Sequence, residues 1–319
     1  MKTLRRLLLL ALQIGVSSAL LIWLFSRGNF LGELQAVLRS AKPGWFVIGL
    51  VAAGIVQALC LVRWRIFLRM AGLDIGWRES CGIFFAGLFS NLFLPGGAGG
   101  DLVKIGLLAG RRYDPARSAL SVVMDRLSGS VSMILLGLGL IHWHRDSLSR
   151  SPEVAAVMGG ILVYLVVLGL GIGLSVWLCS RGLVSRLPQS WPGRARLVEL
   201  TGAYFQLAVQ WKRTILAVAV SCVMLVLYFL TFFFAARACG LDLHPGVFLA
   251  IMPAVDIISG LPVSLGGMGV RESLFVLILG QMAGVTAAVA VTVSLTGHML
   301  SVVWALPGAF LWMMGRTRR

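Results

Sequence analysis

Apolar runs of spanning length cover about residues 7 to 25, 45 to 62, 118 to 141, 154 to 179, 214 to 236 and 285 to 313. Each has roughly the 17 to 25 residues a helix needs to cross a hydrocarbon layer about 30 Å thick. Polar positions gather between them. Residues 26 to 42 place Phe30, Leu31, Leu34, Val37 and Leu38 at helical spacing among polar neighbours, which predicts a short interfacial helix. Residues 181 to 213 are rich in Arg and Lys, with Leu197, Leu200, Tyr204, Ala208 and Trp211 on one helical face. That pattern predicts a basic amphipathic helix over about 194 to 212, lying on the inner leaflet.

Two further apolar regions are interrupted. In the first, roughly 80 to 110, residues 90 to 104 bring Asn91, Pro95, Gly96, Gly97, Gly99, Gly100, Asp101 and Lys104 between apolar flanks. A hydrophobic helix is broken by Pro and loosened by such a Gly run. Unwound backbone at membrane depth survives only inside protein or beside a water-filled cavity, so the stretch predicts a re-entrant broken-helix hairpin. The second region, roughly 246 to 283, contains Pro262, Gly266, Gly267, Gly269, Arg271 and Glu272. Shifted by 167 positions, Leu94-Pro95 falls on Leu261-Pro262, Gly99-Gly100 on Gly266-Gly267, Val103 on Val270 and Lys104 on Arg271. Three spans separate the two hairpins, and an odd number places them on opposite membrane faces. Inverted halves of this kind, roughly 45–141 and 214–313, are the plan of many alternating-access transporters. The expected fold is an all-α polytopic membrane protein, a single transmembrane domain over 1–319, with about six full spans and two inverted re-entrant hairpins.

Composition supports the membrane reading. Of the 319 residues 58% are hydrophobic and 13% charged, and the mean hydropathy is +0.91. The net charge of +16 raises nucleic acid as a partner, but the basic residues sit at the ends of apolar runs, where orientation and anionic headgroups account for them. Six of the 28 Lys and Arg (Arg27, Arg39, Lys42, Arg145, Arg150, Arg237) fall outside and three (Lys104, Arg126, Arg271) within the membrane, leaving 19 on the inner side. Both termini are therefore expected in the cytoplasm. In this count Arg63 and Arg65 close the second span on the cytoplasmic side. Cys60, Cys81, Cys179, Cys222 and Cys239 have no metal-ligand or paired spacing and read as small apolar residues. No metal set or cofactor motif is expected, and neither Gly-rich stretch matches a nucleotide-binding loop or an ATPase motif.

The chemistry on offer is electrostatic. A helix starting after each Gly pair presents free N–H groups and a positive dipole end to an anion, for which a lipid phosphate is the natural occupant. Asp101 and Lys104, three apart, share a helix face, whereas Asp125 and Arg126 point about 100° apart and need separate partners. Arg126 lies about 13 Å into its helix from Arg117, so it must be paired or wetted. Two readings remain open: a bracing network, Asp125 with Lys104 or Arg126 with Asp101, or a headgroup site comprising Asn91, Asp101, Lys104, Asp125, Arg126, Arg271 and Glu272. Asp256 and Ser90 fit unwound backbone or a ligand equally. Gly106 with Gly110, and Gly280 with Gly284, are spaced as helix-packing positions.

The stretch from Gly87 to Lys104, followed by Ser121-Val-Val-Met-Asp-Arg126, resembles the signature of the flippase-like family, the membrane domain of lysylphosphatidylglycerol synthetase and flippase proteins. Pro262 to Glu272 resembles that family's second motif. The resemblance implies translocation of an anionic lipid, a phospholipid or polyprenyl phosphate, across a bacterial inner membrane. Other members of the family are associated with hopanoid or polyprenyl-linked lipids. No aminoacyltransferase domain is expected after Arg319, so the resemblance implies only the translocation half. The alternative is a membrane-embedded transferase that modifies a lipid carrier, with Asp101, Asp125 or Glu272 as base; no nucleophile-base constellation supports it, and no catalytic residue is assigned. A third reading is an accessory membrane subunit without a substrate. Expected partners are the lipid itself and either a second copy or a lipid-synthesis enzyme.

Overall fold

The computed structural model describes residues 41–92, 99–143, 151–182, 210–261 and 264–309, with isolated positions 15, 18, 19, 22, 35, 39, 201, 202 and 205. Among the described residues the long elements are all helices. They are α1 (Pro43–Met70), α2 (Trp77–Ser90), α3 (Gly99–Ala109), α4 (Pro115–Trp143), α5 (Pro152–Ser180), α6 (Trp211–Ala238), α7 (Pro245–Gly260), α8 (Val270–Ala283) and α9 (Ala287–Val303). Proline opens α1, α4, α5 and α7 at the first position, where its missing N–H has no intrahelical partner to lose. Asp114 Oδ1 accepts the Ala116 N–H at the start of α4, and His244 Nδ1 accepts the Gly246 N–H at the start of α7.

Five helices are long and apolar enough to cross a membrane: α1, α4, α5, α6, and α9 with its continuation to Ala309. The last bends at residues 304–306 because Pro307 removes a donor and restricts Leu306. The first expected span (7–25) and the two interfacial helices (26–42 and 194–212) fall almost wholly outside the described residues. So do residues 310–313, the end of the last span.

The four remaining helices are short. At 1.5 Å per residue, α2 and α3 extend about 21 and 17 Å and α7 and α8 about 24 and 21 Å, less than the hydrocarbon thickness. They pack in consecutive pairs, α2 on α3 and α7 on α8. Helix α6 lies at the centre against α1, α4, α7 and α9. Two apolar clusters hold the pairs in place. Phe229 and Phe232 of α6 meet Phe248 and Ile251 of α7 and Phe275 of α8, while Trp64 and Leu68 of α1 meet Ile83, Phe84 and Leu108 of the first pair.

Two expectations change. Helix α1 does not end near Val62 but runs to Met70, and Arg63 and Arg65 are buried inside it. They did not mark a boundary because each has partners in the protein: Arg63 meets Asp125, and Arg65 donates to the Ile75 carbonyl at 3.0 Å and to Ser80 while lying over the Trp77 ring. Of the glycines proposed for helix packing, Gly106, Gly280 and Gly284 are not where helices meet. Gly106 faces open space, and Gly284 has φ 61°, the left-handed cap that ends α8. Close packing falls instead on Gly49, Gly54 and Gly297. A Cβ on Gly54 would sit 2.4 Å from the Trp304 ring, whose Nε1 donates to the Leu50 carbonyl at 2.8 Å.

Candidate functional site

The first hairpin is closed at both ends. At its base Glu79, in the first turn of α2, accepts from Arg111 Nη1 at 3.0 Å and the Tyr113 hydroxyl at 3.3 Å, just beyond α3. Burial, reinforced by the Glu79 carboxylate, raises the Tyr113 hydroxyl above its ordinary pKa. At the tip, Asn91 Oδ1 accepts the Gly100 N–H at 2.6 Å. Helix α3 begins at Gly99, not after the Gly pair, and the backbones touch: a Cβ on Gly100 would lie 2.1 Å from the Gly87 carbonyl oxygen. Only glycine allows this approach. Pro95, Gly96 and Gly97 lie outside the described residues, as does Pro262.

The charges behind this tip form one cluster. Arg126 Nε donates to Asp101 Oδ2 at 2.6 Å, and Lys104 Nζ stands 3.7 Å from the other oxygen. The Lys104 ammonium also lies over Trp64 and Phe84, 5.1 and 4.9 Å from the ring centroids, which supports a buried cation with ring quadrupoles. Asp125 turns the other way and takes a two-pronged pair from Arg63, Nε to Oδ1 at 2.7 Å and Nη2 to Oδ2 at 3.1 Å. Arg63 Nη1 reaches on to the Ser221 hydroxyl of α6 at 3.2 Å. Of the two pairings the bracing reading offered, Arg126 with Asp101 forms, while Asp125 pairs with Arg63 and not Lys104. Among the described residues three cations thus stand around two carboxylates, and Arg126 keeps 55% of its side chain exposed.

Arg63 was missed by sequence reasoning. Its signal was present: Trp64, Phe67 and Leu68 continue the helical apolar spacing past the arginines, so the helix could not end there.

In the second hairpin a 3-10 turn at Leu265–Gly267 joins α7 to α8. Gly266, Gly267 and Gly269 have φ of 60°, 79° and 83°, the left-handed region where side chains are strained. Glu272, 1% exposed, caps its own helix: Oε2 accepts the Gly269 N–H at 2.6 Å and Oε1 accepts from the Ser294 hydroxyl of α9 at 3.0 Å. At Gly100 and Gly269, then, an N–H expected to face an anion is taken by Asn91 or Glu272. Arg271 is buried beside Glu272. Asp256, on α7, accepts from the Tyr228 hydroxyl at 3.0 Å.

A cavity of about 290 Å³ lies among α1, α4, α5, α6 and α7. Arg63 of α1 and Asp125, Arg126 and Ser130 of α4 line it from one side, Tyr164 of α5 and Asp256 of α7 from the other. It has room for about ten waters' share of liquid volume, or for a polar headgroup without its acyl chains. The five cysteines are free and half-buried. Among the described residues no three His, Cys, Asp or Glu converge as a metal site would require.

The model of a family described as the transmembrane region of lysylphosphatidylglycerol synthase matches residues 9–308. A UPF0104 membrane protein of Methanothermobacter thermautotrophicus is 22% identical over 292 residues, covering 85% of each chain.

Proposed function

Because the chain belongs to the family of the lysylphosphatidylglycerol synthase transmembrane region, we propose that it translocates an anionic lipid across a bacterial inner membrane. The lipid class is a phospholipid or a polyprenyl phosphate, and both termini lie in the cytoplasm. The headgroup passes through the polar cavity between α4 and α7 while the tails stay in the bilayer. The observation that carries this reading is the cavity itself. It is polar, lies between α4 and α7, and opens onto Arg126, a cation with more than half its side chain accessible.

Intramembrane charge that meets a cavity is a feature of substrate paths. The carboxylates considered as bases in a transferase, Asp101, Asp125 and Glu272, each accept from donors of the chain, an arrangement suited to holding cations and helix ends. Transport then proceeds without a catalytic residue, as alternation of two hairpin-bearing halves around the cavity.

The test is scrambling of an anionic phospholipid with a fluorescent acyl chain in proteoliposomes, read by quenching from outside. Wild-type protein makes nearly all of the label accessible, whereas empty vesicles leave half protected. Arg126→Ala, at an exposed position and so compatible with folding, slows the exchange at least tenfold. Wild-type exchange by a normally melting Arg126→Ala protein rules out the cavity path.

A further inference from the structure

Nearly all the buried serines among the described residues have partners. Among the described residues every buried serine but Ser259 and Ser264 is hydrogen-bonded, most to a carbonyl three or four residues back on its own helix. Ser259 lies at the end of α7 and Ser264 in the turn that follows, and both are 4% exposed. Just past that turn, in the first turn of α8, Arg271 is 7% exposed, and its Nε and Nη1 have no hydrogen-bond partner among the described residues. Arg271 and Ser259 come together at Gly267: a Cβ there would lie 2.8 Å from the Ser259 carbonyl oxygen, 3.0 Å from its Cβ and 3.4 Å from Arg271 Nη2, so only glycine fits between them, while Ser264 stands three residues before it in the same turn.

Among the described residues no carboxylate stands within ion-pair distance of this arginine, and Asp256 interacts with it only at longer range. Glu272 is engaged by the Gly269 N–H and Ser294, and Asp256 by Tyr228, with neither carboxylate in an ion pair with Arg271. Burying a guanidinium without a partner is among the costliest arrangements a protein can hold. Two hydroxyls and a guanidinium are all able to donate, and the group that matches several converging donors and a positive charge is an oxyanion. At the first hairpin, by contrast, Arg63, Lys104 and Arg126 each stand against a carboxylate.

We propose that the turn of the second hairpin is a phosphate site, in which Arg271, Ser259 and Ser264 donate to the phosphoryl oxygens of a lipid headgroup or of free phosphate. The site deepens the transport reading, and rests on it only for the assignment of the phosphate to a lipid. It lies apart from Arg126, so a headgroup leaving the Arg126 end of the path has a second cationic station on α8.

The test measures binding without transport. Purified full-length protein in detergent is titrated with dioctanoyl phosphatidylglycerol, with inorganic phosphate and, as a phosphate-free control, with dioctanoylglycerol, reading heat of binding and melting temperature. The phosphatidylglycerol binds and raises the melting temperature; the diacylglycerol does neither. The double variant Ser259→Ala, Ser264→Ala removes only two hydroxyls, so it folds, and it weakens binding by about tenfold or more. Arg271→Gln abolishes binding, and Arg271→Lys restores part of it. Inorganic phosphate binding with the same losses in the variants also supports the site and assigns it to free phosphate. Equal binding of the diacylglycerol, or wild-type affinity in the double serine variant, overturns it. Scrambling that continues undiminished in the double serine variant leaves the cavity path standing and removes this site from it. Binding without any scrambling does the reverse.

Discussion

Arg63 and Asp125 carry opposite charges into a region sheltered from bulk water, and their two-pronged contact compensates the desolvation of both. Removing one partner leaves the other buried and uncompensated. Arg63→Gln or Asp125→Asn is therefore expected to cost about 3–5 kcal/mol, seen as a large fall in melting temperature, whereas the paired change Arg63→Met with Asp125→Leu recovers most of the loss. A paired variant that melts no higher than either single one shows that the charges have a role beyond their mutual compensation. The Asp101–Lys104 contact was legible in the chain because an i,i+3 interval fixes a shared face. The partner of Asp125 was not, since nothing local connects it to a residue 62 positions earlier. Ser259 and Ser264 were equally silent: a serine's meaning here depends on whether its carbonyl neighbour is used, which only the folded backbone decides.

At the scale of elements, each hairpin is a short helix pair whose tip is closed by its own side chains. The first depends on a backbone contact that tolerates no substituent. Gly100→Ala places a methyl 2.1 Å from the Gly87 oxygen and forces α2 and α3 apart, so it is expected to destabilise the protein more than Asn91→Ala, which leaves one buried N–H unpaired at about 1–3 kcal/mol. The order of the two melting temperatures checks this. Packing of α1 against α9 depends in the same way on Gly54: Gly54→Val drives the Trp304 ring outward and breaks its bond to Leu50, which a red shift in tryptophan emission reports relative to a Trp304→Phe background. The helix breaks themselves could be read from Pro and Gly in an apolar region. The length of α1 could not, because charges that are paired internally look the same in sequence as charges that meet water.

Among the described residues the α2–α3 and α7–α8 pairs belong to one bundle, in which α6 meets α1, α4, α7 and α9. If the halves are inverted, the two tips open on opposite sides of the membrane. Leu92 and Leu261, at the ends of α2 and α7, are both exposed. After replacement of the five native cysteines, Leu92→Cys and Leu261→Cys are expected to react with an impermeant maleimide from opposite faces of sealed vesicles; reaction from one shared face excludes inversion. The fixed offset between the two motifs said nothing about which charges would meet, since most of the partners, Arg63, Ser221, Tyr228 and Ser294, lie on helices outside the motifs. The Arg63 pair also bears on how the chain is made. A nascent chain brings Arg63 to the membrane 62 residues before Asp125 exists, and an unmatched arginine within a helix resists insertion by roughly 2.5–3.5 kcal/mol at the centre and less toward an end. Until α4 emerges, α1 is expected to sit displaced toward water. Ribosome-bound chains ending before residue 125 then leave a probe at position 63 open to aqueous labelling, and chains that extend past α4 draw it in, so the second charge completes the placement of the first.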